Sequence, residues 1–428
     1  MSVFISILTM LIMLSILTIV HEWGHFIAAR IFKVKVTEFS IFMGPAIWSR
    51  TSKKTGTKFS IRALPIGGYC AFEDDNGNAD SPDSLNSQKW YKRLVIFVAG
   101  VFLNIVLALI LAIIILSFSG YQTTEIDSVS QNTPAVMAGL EAGDELKEIN
   151  GHSVLTTTDY QLYAYAIEDE NDSEEIMDSH YTLTYEKQNG VEVLWDIKKH
   201  AEYTIEKNDD GEITSYNLLS YRYTIVTDDG KDTAEYIYEC EVLDIVDETY
   251  AVCNVTRTAD GVSSTEELSL TATEYNALGG DSFCYVKTLN PFKIIGNSAK
   301  YLVSMVKSIY LSLWWLLTGT VGLEAISGPV GLTSLVDTVV SETSVDFWSK
   351  VLTLTNMTAL ISVNLGVFNL LPFPGLDGFH VVFIIIELIR RGKKVSPNVQ
   401  NIISTIGLVL LILLAVVVMF SDIFKLVG

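Results

Sequence analysis

Residues 5–32 read ISILTMLIMLSILTIVHEWGHFIAARIF, and the segment HEWGH follows twenty residues without a charge. A run of this length can cross a bilayer as a helix, which needs about 20 apolar residues. Ionisable side chains at the end of such a helix are expensive to place in a membrane and usually serve chemistry. We therefore expect a functional site built into a transmembrane helix at residues 21–25.

The spacing of the two histidines in this segment predicts a metal site. His21 and His25 lie four residues apart, so both imidazoles point to the same side of a helix. Two histidines in an HExxH pattern can bind one zinc ion, and Glu22 beside them can take a proton from the bound water. A chance match is the alternative, and the position at the end of an apolar helix argues against it.

Charge divides the chain into two kinds of sequence. The chain has a net charge of −21 although 49% of its residues are hydrophobic. Residues 121–300 contain 36 of the 50 acidic residues and 11 of the 29 basic ones, and the remainder is slightly basic. This pattern indicates an acidic, water-soluble block inserted into a membrane-embedded frame. The net charge of −21 argues against nucleic-acid binding, which needs basic patches.

Four stretches are long and apolar enough to span a bilayer: residues 5–32, 94–118, 351–371 and 402–420. Residues 301–323 carry Lys307 and a pair of tryptophans. We interpret them as an amphipathic helix in the membrane interface, with a fifth span as the alternative.

Basic residues near the ends of the spans predict the orientation. Residues 33–93 contain ten lysines and arginines, and residues 390–394 contain four. Loops rich in basic residues remain in the cytoplasm. The acidic block and both termini should therefore face outward, and HEWGH should lie toward the cytoplasmic side of the first span.

The four cysteines show no zinc-ribbon spacing. Three of them, Cys240, Cys253 and Cys284, fall in the outward block, which allows at most one disulfide there. Cys240 and Cys253 could close a hairpin, but the sequence does not decide the pairing. Cys70 should be reduced.

Short strands are predicted on both sides of the second span. Alternation and Gly/Pro punctuation indicate strands within residues 39–45 and 58–69. Residues 126–151 resemble a PDZ domain, with turn dipeptides at Gly143-Asp144 and Asn150-Gly151. Such a domain would bind an extended peptide or a C-terminus as an added strand; a generic β-turn-rich domain is the alternative. The sequence stays strand-like from about Tyr181 to Tyr285, which is more chain than one PDZ domain requires, so we infer an insertion or an appended β-rich subdomain at about residues 200–275.

A catalytic zinc ion needs a third protein ligand and one open position. Asp377 is the strongest candidate, because it lies in the segment NLLPFPGLDG at residues 369–378. The prolines and glycine of this segment would break a helix, and broken helix at membrane depth is tolerated where it lines a cavity. The other candidates are His380 and Glu387 after the third span and Asp337, Glu342 and Asp346 before it.

Together, HEWGH at residues 21–25 and Leu376-Asp377-Gly378 resemble the motifs of the site-2 protease family of intramembrane zinc metalloproteases. The nearest branch is the bacterial RseP-like one, whose members are called regulator-of-sigma-E proteases. The likeness covers about residues 1–155 and 285–428, and Phe379 departs from a glycine common in relatives. Further matching segments are residues 39–45, 67–69, 99–104, 327–331 and 362–366.

The resemblance implies particular roles for these residues. His21, His25 and Asp377 would bind one zinc ion, and Glu22 would be the catalytic base. A membrane-dipping β-loop at Gly67, Gly68 and Tyr69 would pair with extended substrate. Asn364 and Asn369 match positions near the substrate, although helix–helix hydrogen bonding explains them equally well. Asn104 is expected to pack helices.

The resemblance also implies the partners and the location. Substrates would be single-span membrane proteins that have already been cut once outside the membrane, such as anti-sigma factors, or remnant signal peptides. The enzyme would lie in the bacterial cytoplasmic membrane, with the acidic block outside the cytoplasm. A catalytically silent PDZ adaptor is a rival hypothesis. A zinc protease of another HExxH type, with Glu387 as third ligand, is a second rival.

The predicted fold is a polytopic α-helical membrane protein with about four transmembrane helices, a membrane-associated β-loop and an extracytoplasmic PDZ-like β-rich domain. Its predicted parts are an N-terminal membrane core (1–120), the PDZ-like block (121–290), an interfacial region (291–350) and a C-terminal membrane core (351–428).

Overall fold

The computed structural model describes residues 2–73, 81–167, 175–207, 213–246, 250–271, 274, 278–279, 282–320 and 328–427. Residues 321–323 of the expected interfacial segment, Ser327 and parts of the region 200–275 lie outside the described residues. The chain forms two compact units. The membrane unit comprises Met1–Ser119 and Ile294–Gly428, and the sheet unit comprises Gly120–Lys293.

Apolar helices of 13 to 31 residues build most of the membrane unit. They are α1 (Ser2–Ile31), α2 (Trp90–Ser119), α5 (Pro291–Thr318), α6 (Pro329–Ser341), α7 (Phe347–Leu370), α8 (Asp377–Ile389) and α9 (Pro397–Val427). Helix α2 contacts α1, α7 and α8. It therefore forms the centre against which the elements carrying the sequence motifs pack.

Five helices in the described part of the chain are long and apolar enough to cross a membrane. Four of them, α1, α2, α7 and α9, cover the spans predicted from the sequence to within one residue at their ends. The fifth is α5, whose 28 residues include most of the segment expected to lie in the interface. By length and composition, α5 thus belongs with the spanning candidates, and α8, with 13 residues, does not.

A β-hairpin follows α1 in the membrane unit. It consists of β1 (Val36–Thr51) and β2 (Lys58–Phe72), which pair antiparallel. The strands bend, so that Phe39 of β1 lies beside Cys70 and also beside Phe59. Helix α1 packs against β2. The segment around Cys70 is thereby brought next to the helix that carries HEWGH.

The break between α7 and α8 follows from local sequence. Helix α7 begins with the Asp346 carboxylate accepting hydrogen bonds from the backbone N–H groups of Trp348 and Ser349, an N-cap that satisfies two of its free donors. It ends at Leu370, and the prolines that follow cannot continue it. Helix α8 then starts at Asp377 itself.

Antiparallel strands dominate the sheet unit. They are β3 (Tyr121–Ser128), β4 (Glu145–Ile149), β5 (His152–Ser153), β6 (Ile176–Glu186), β7 (Glu192–Lys207), β8 (Ile213–Asp228), β9 (Thr233–Ile245), β10 (Tyr250–Ala259), β11 (Val262–Thr271) and β12 (Ser282–Val286), with short helices α3 (Pro134–Met137) and α4 (Thr157–Tyr165). The strand order is β11-β10-β9-β8-β7-β6-β4-β3-β12, and β5 pairs with β4. The described part of residues 200–275 extends this same sheet.

Alternating side chains of the sheet form the core of this unit. Ile126, Leu146, Trp195, Ile197 and Ile225 are all fully buried or nearly so. Their burial follows from strand geometry, because every second side chain of a strand faces the same side.

We expect Ile197→Ala to destabilise the sheet unit by about 2–5 kcal/mol, because it removes buried methyl groups and leaves a cavity. Backbone amide exchange in β6, β7 and β8 of the full chain should accelerate accordingly. Leu194→Ala is the matched control on the same strand, because Leu194 is 44% exposed. Equal exchange in the two variants would contradict the assigned core.

Candidate metal centre

Three side chains from distant parts of the chain converge in the membrane unit. The Asp377 Oδ2 atom lies 2.9 Å from His21 Nε2 and 3.1 Å from His25 Nε2. The two Nε2 atoms are 3.2 Å apart. Both histidines are buried, with 5% and 6% of their surfaces exposed. In the described part of the chain, this is the one group of three such residues with metal-binding spacing.

The spacing of these three atoms suits a single zinc ion. Ligand atoms bound tetrahedrally at about 2.0–2.1 Å lie about 3.3–3.4 Å from one another. The three observed separations are within a few tenths of an ångström of that value. Two imidazole nitrogens and one carboxylate oxygen also form a common ligand set of catalytic zinc, and they leave a fourth position open.

Glycines let α1 and α2 approach closely enough to form this centre. A Cβ atom added at Gly24 would lie 2.3 Å from the Ala99 carbonyl oxygen. One added at Gly100 would lie 2.6 Å from His25 Nε2 and 2.8 Å from His21 Cε1. The space that a side chain of α2 would fill is therefore occupied by the two imidazoles.

Glu22 faces the β-hairpin from the next position on α1. Its carboxylate accepts a hydrogen bond from the backbone N–H of Cys70. The strand that contains the predicted substrate-binding residues thus meets the predicted catalytic base. The sequence singled out Cys70 only as a thiol, because a backbone contact leaves no signal in the residue type.

Gly67, Gly68 and Tyr69 lie on the strand just before this contact. Gly67 has a left-handed backbone with φ of 65°. A Cβ at Gly68 would lie 2.8 Å from the Ser40 carbonyl oxygen, so the strand packs tightly on β1 there. The ring of Tyr69 lies 5.3 Å from the Arg62 guanidinium carbon.

A polar network holds Tyr69 on the hairpin. The Glu38 carboxylate accepts hydrogen bonds from Ser60 Oγ at 2.6 Å and from Arg62 at 2.9 Å. Burial raises the pKa of Glu38, but hydrogen bonds from Ser60, Arg62 and Tyr69 outweigh this effect and lower it to about 2. Glu38 is therefore ionised at neutral pH, which keeps the network intact.

The two asparagines on α7 take different positions. Asn369 Nδ2 lies 3.4 Å from His21 Nε2, at the point where the three ligand atoms converge. Asn364 is exposed, and no hydrogen bond of the described structure joins it to this group. The structure thus brings only Asn369 next to the histidines.

Glu387, another of the carboxylate candidates, pairs with a residue outside this group. It forms a buried ion pair with Arg93 of α2. His380, one turn after Asp377, stacks its ring on Phe97 at a centroid distance of 4.5 Å. Both contacts hold α8 against α2, and neither brings its residue into the group of three.

Asn104 is an additional residue at this centre. Its Nδ2 atom lies 3.4 Å from His21 Nδ1, and its side chain is fully buried. The sequence predicts only that Asn104 packs helices together, which does not require its amide to contact a histidine. Gly100 and Asn104 both lie in residues 99–104, one of the segments that resemble the family. That these two residues face the histidines depends on the rotation of α2 about its axis, which the sequence does not show.

Comparison with known proteins places these motifs in a family. The profile of Peptidase family M50 matches residues 9–414. A protein of Clostridium acetobutylicum named as a zinc metalloprotease is 29% identical over 424 residues, covering 98% of each chain. The regulator of sigma-E protease RseP of Escherichia coli is 27% identical over 449 residues, covering 96% of this chain and 97% of the relative.

We expect Gly100→Ala to lower the zinc content of the purified protein, because the added methyl group would displace His25. Gly366→Ala on α7 is the control, since its Cβ would meet Ile105 at an ordinary 3.5 Å. Zinc per chain is measured by mass spectrometry of the metal. Equal zinc content in both variants would contradict the close contact between α1 and α2.

Proposed function

The chain belongs to Peptidase family M50, and from this premise we propose that it hydrolyses peptide bonds within the membrane-spanning segments of other proteins. It is a zinc metalloprotease and an integral membrane protein, as its family, its relatives and its apolar helices support. The convergence of His21, His25 and Asp377 is the observation that carries the proposal.

In this proposal, His21, His25 and Asp377 hold one zinc ion. Their separations and donor types support the assignment, and Glu387 is a weaker candidate because its carboxylate is occupied by Arg93. When bound, zinc polarises the scissile carbonyl and lowers the pKa of its water. Asp377 would bind through Oδ2 from the first residue of α8, directly after the segment that interrupts the helix.

Glu22 and Asn369 have separate roles in the proposed hydrolysis. Glu22 accepts the proton of the attacking water and passes it to the leaving amine. The hydrogen bond from the Cys70 N–H supports this role, because it orients the carboxylate. Asn369 directs its amide N–H toward the same point and can donate to the oxygen of the carbonyl under attack.

The substrate would have to be extended at the scissile bond. A helical peptide bond is already hydrogen-bonded and poorly exposed, whereas an added strand presents its backbone. The hairpin segment Gly67–Tyr69 leads directly to Cys70 and Glu22, so a strand paired there would lie beside the base. This arrangement favours single-span substrates, which have little tertiary structure to hold the helix.

The substrate class follows from the same proposal. Single-span anti-sigma factors already cut outside the membrane, and remnant signal peptides, present short helices of this kind. We place the enzyme in the bacterial cytoplasmic membrane, with the acidic sheet unit outside the cytoplasm. The PDZ-like part of that unit would receive a peptide or a C-terminus by strand addition.

We expect Glu22→Gln to abolish cleavage while zinc stays bound, because the amide cannot accept the proton but leaves the three ligands in place. Cleavage of a single-span substrate lacking its outer domain is followed by mass spectrometry in reconstituted vesicles. Metal content of the same preparation is the control. Retained cleavage by this variant would overturn the proposed base.

Asp377→Asn should lower the zinc affinity strongly, since it removes the charged ligand. Glu387→Gln is the matched control and should leave zinc bound, although it breaks the pair with Arg93. Zinc affinity is measured by competition with a chelator. The reverse result would identify Glu387 as the third ligand.

A further inference from the structure

Asn104 occupies a position on α2 that bears directly on His21. It lies four residues after Gly100, so the two face the same side of the helix. Its backbone carbonyl accepts a hydrogen bond from Ser362 Oγ of α7 at 2.8 Å. The residue is therefore held between two helices while its amide contacts the imidazole. The role of Asn104 rests on the proposed zinc site.

His25 has the hydrogen-bond partner at Nδ1 that a zinc-binding histidine needs. Its Nδ1 atom lies 2.8 Å from the backbone carbonyl oxygen of Ile96. A carbonyl only accepts, so Nδ1 of His25 carries the proton and Nε2 keeps its lone pair. Zinc-binding histidines generally have such a partner, which fixes both the tautomer and the orientation of the ring.

His21 needs the same arrangement, and its Nδ1 atom faces only the amide of Asn104 in the described part of the chain. In the orientation of the structure, the NH₂ group points at Nδ1, and Asn104 Oδ1 is buried without a hydrogen-bond partner. For the NH₂ group to donate a hydrogen bond to Nδ1, Nδ1 must be unprotonated and offer its lone pair. The ring proton would then occupy Nε2, where Asp377 and His25 converge, and His21 could not bind a metal there.

Rotation of the amide by half a turn removes this conflict. The two ends of an asparagine amide have nearly the same shape, so either orientation fits the same space. With Oδ1 toward His21, the buried oxygen accepts the Nδ1 proton, and Nε2 is free to bind. The need for a free lone pair on Nε2 selects this orientation, in which Oδ1 also gains the hydrogen-bond partner that it lacks in the other one.

We propose that Asn104 is the positioning residue of His21, whose side-chain oxygen accepts the Nδ1 proton and thereby fixes the tautomer that binds zinc. Asn104 thus does for His21 what the Ile96 carbonyl does for His25. It touches neither substrate nor the reacting atoms, and it acts through His21.

The test measures zinc affinity of the full chain in detergent by chelator competition. Asn104→Leu and Asn104→Ala remove the acceptor, and each should weaken zinc binding about 10- to 100-fold. Asn104→Asp keeps an acceptor oxygen and has no N–H donor, so it should bind zinc close to wild type. Ser362→Ala removes only the hydrogen bond between α2 and α7, and it should also bind as wild type.

A second readout is the visible spectrum of the Co²⁺-substituted protein, which reports the coordination of the metal. It should change in Asn104→Leu and Asn104→Ala and be preserved in Asn104→Asp. Wild-type affinity in both variants that lack the acceptor would overturn the inference. So would an Asn104→Asp variant that folds but binds zinc as weakly as Asn104→Ala, because the amide would then act as a donor.

The experiment separates this inference from the proposed function. If His21→Ala leaves the zinc affinity of the chain unchanged, the proposed metal site is wrong. If His21→Ala abolishes zinc binding while Asn104→Leu and Asn104→Ala do not weaken it, the site stands and only the role of Asn104 fails. Asn104→Ala keeps the test decisive where the larger leucine disturbs folding.

Discussion

The close contact between α1 and α2 is the constraint on which the centre depends. At Gly24 and Gly100 the two backbones approach so closely that neither position has room for a Cβ atom. Helices in an apolar environment associate through such small residues, because packing rather than water exclusion holds them together. Here the contact also decides the chemistry, since the imidazoles of His21 and His25 occupy the space beside Gly100.

Three buried ionisable side chains of the apolar helices are satisfied by one another or by backbone. Arg93 pairs with Glu387, and Asp422 accepts hydrogen bonds from the N–H groups at the start of α6. Removing one partner of a buried pair typically costs about 3–5 kcal/mol. The pair of Arg93 and Glu387 holds α8 against α2, and α8 in turn carries Asp377 to the histidines of α1.

Much of this organisation could be predicted from residue patterns. Apolar runs indicated α1, α2, α7 and α9, and the HExxH spacing indicated that His21 and His25 share a helix face. Most of the segment 301–323, expected in the interface, belongs to the 28-residue helix α5, which is long and apolar enough for the alternative, a fifth span. The contact of Asn104 with His21 had no such pattern, since an asparagine in an apolar helix serves packing and site chemistry equally well.

Residue patterns alone indicate which segments are apolar enough to cross a membrane, where the chain breaks and which ionisable residues lie at those places. These properties depend on neighbours within a few residues. The folded structure adds that the expected partners Asp377 and His21, 356 residues apart, lie in contact and that Glu387 pairs with Arg93 instead. It also decided that Gly100 and Asn104 face the histidines and that the Cys70 backbone meets Glu22. Such contacts depend on how helices are rotated and crossed, which no local pattern encodes.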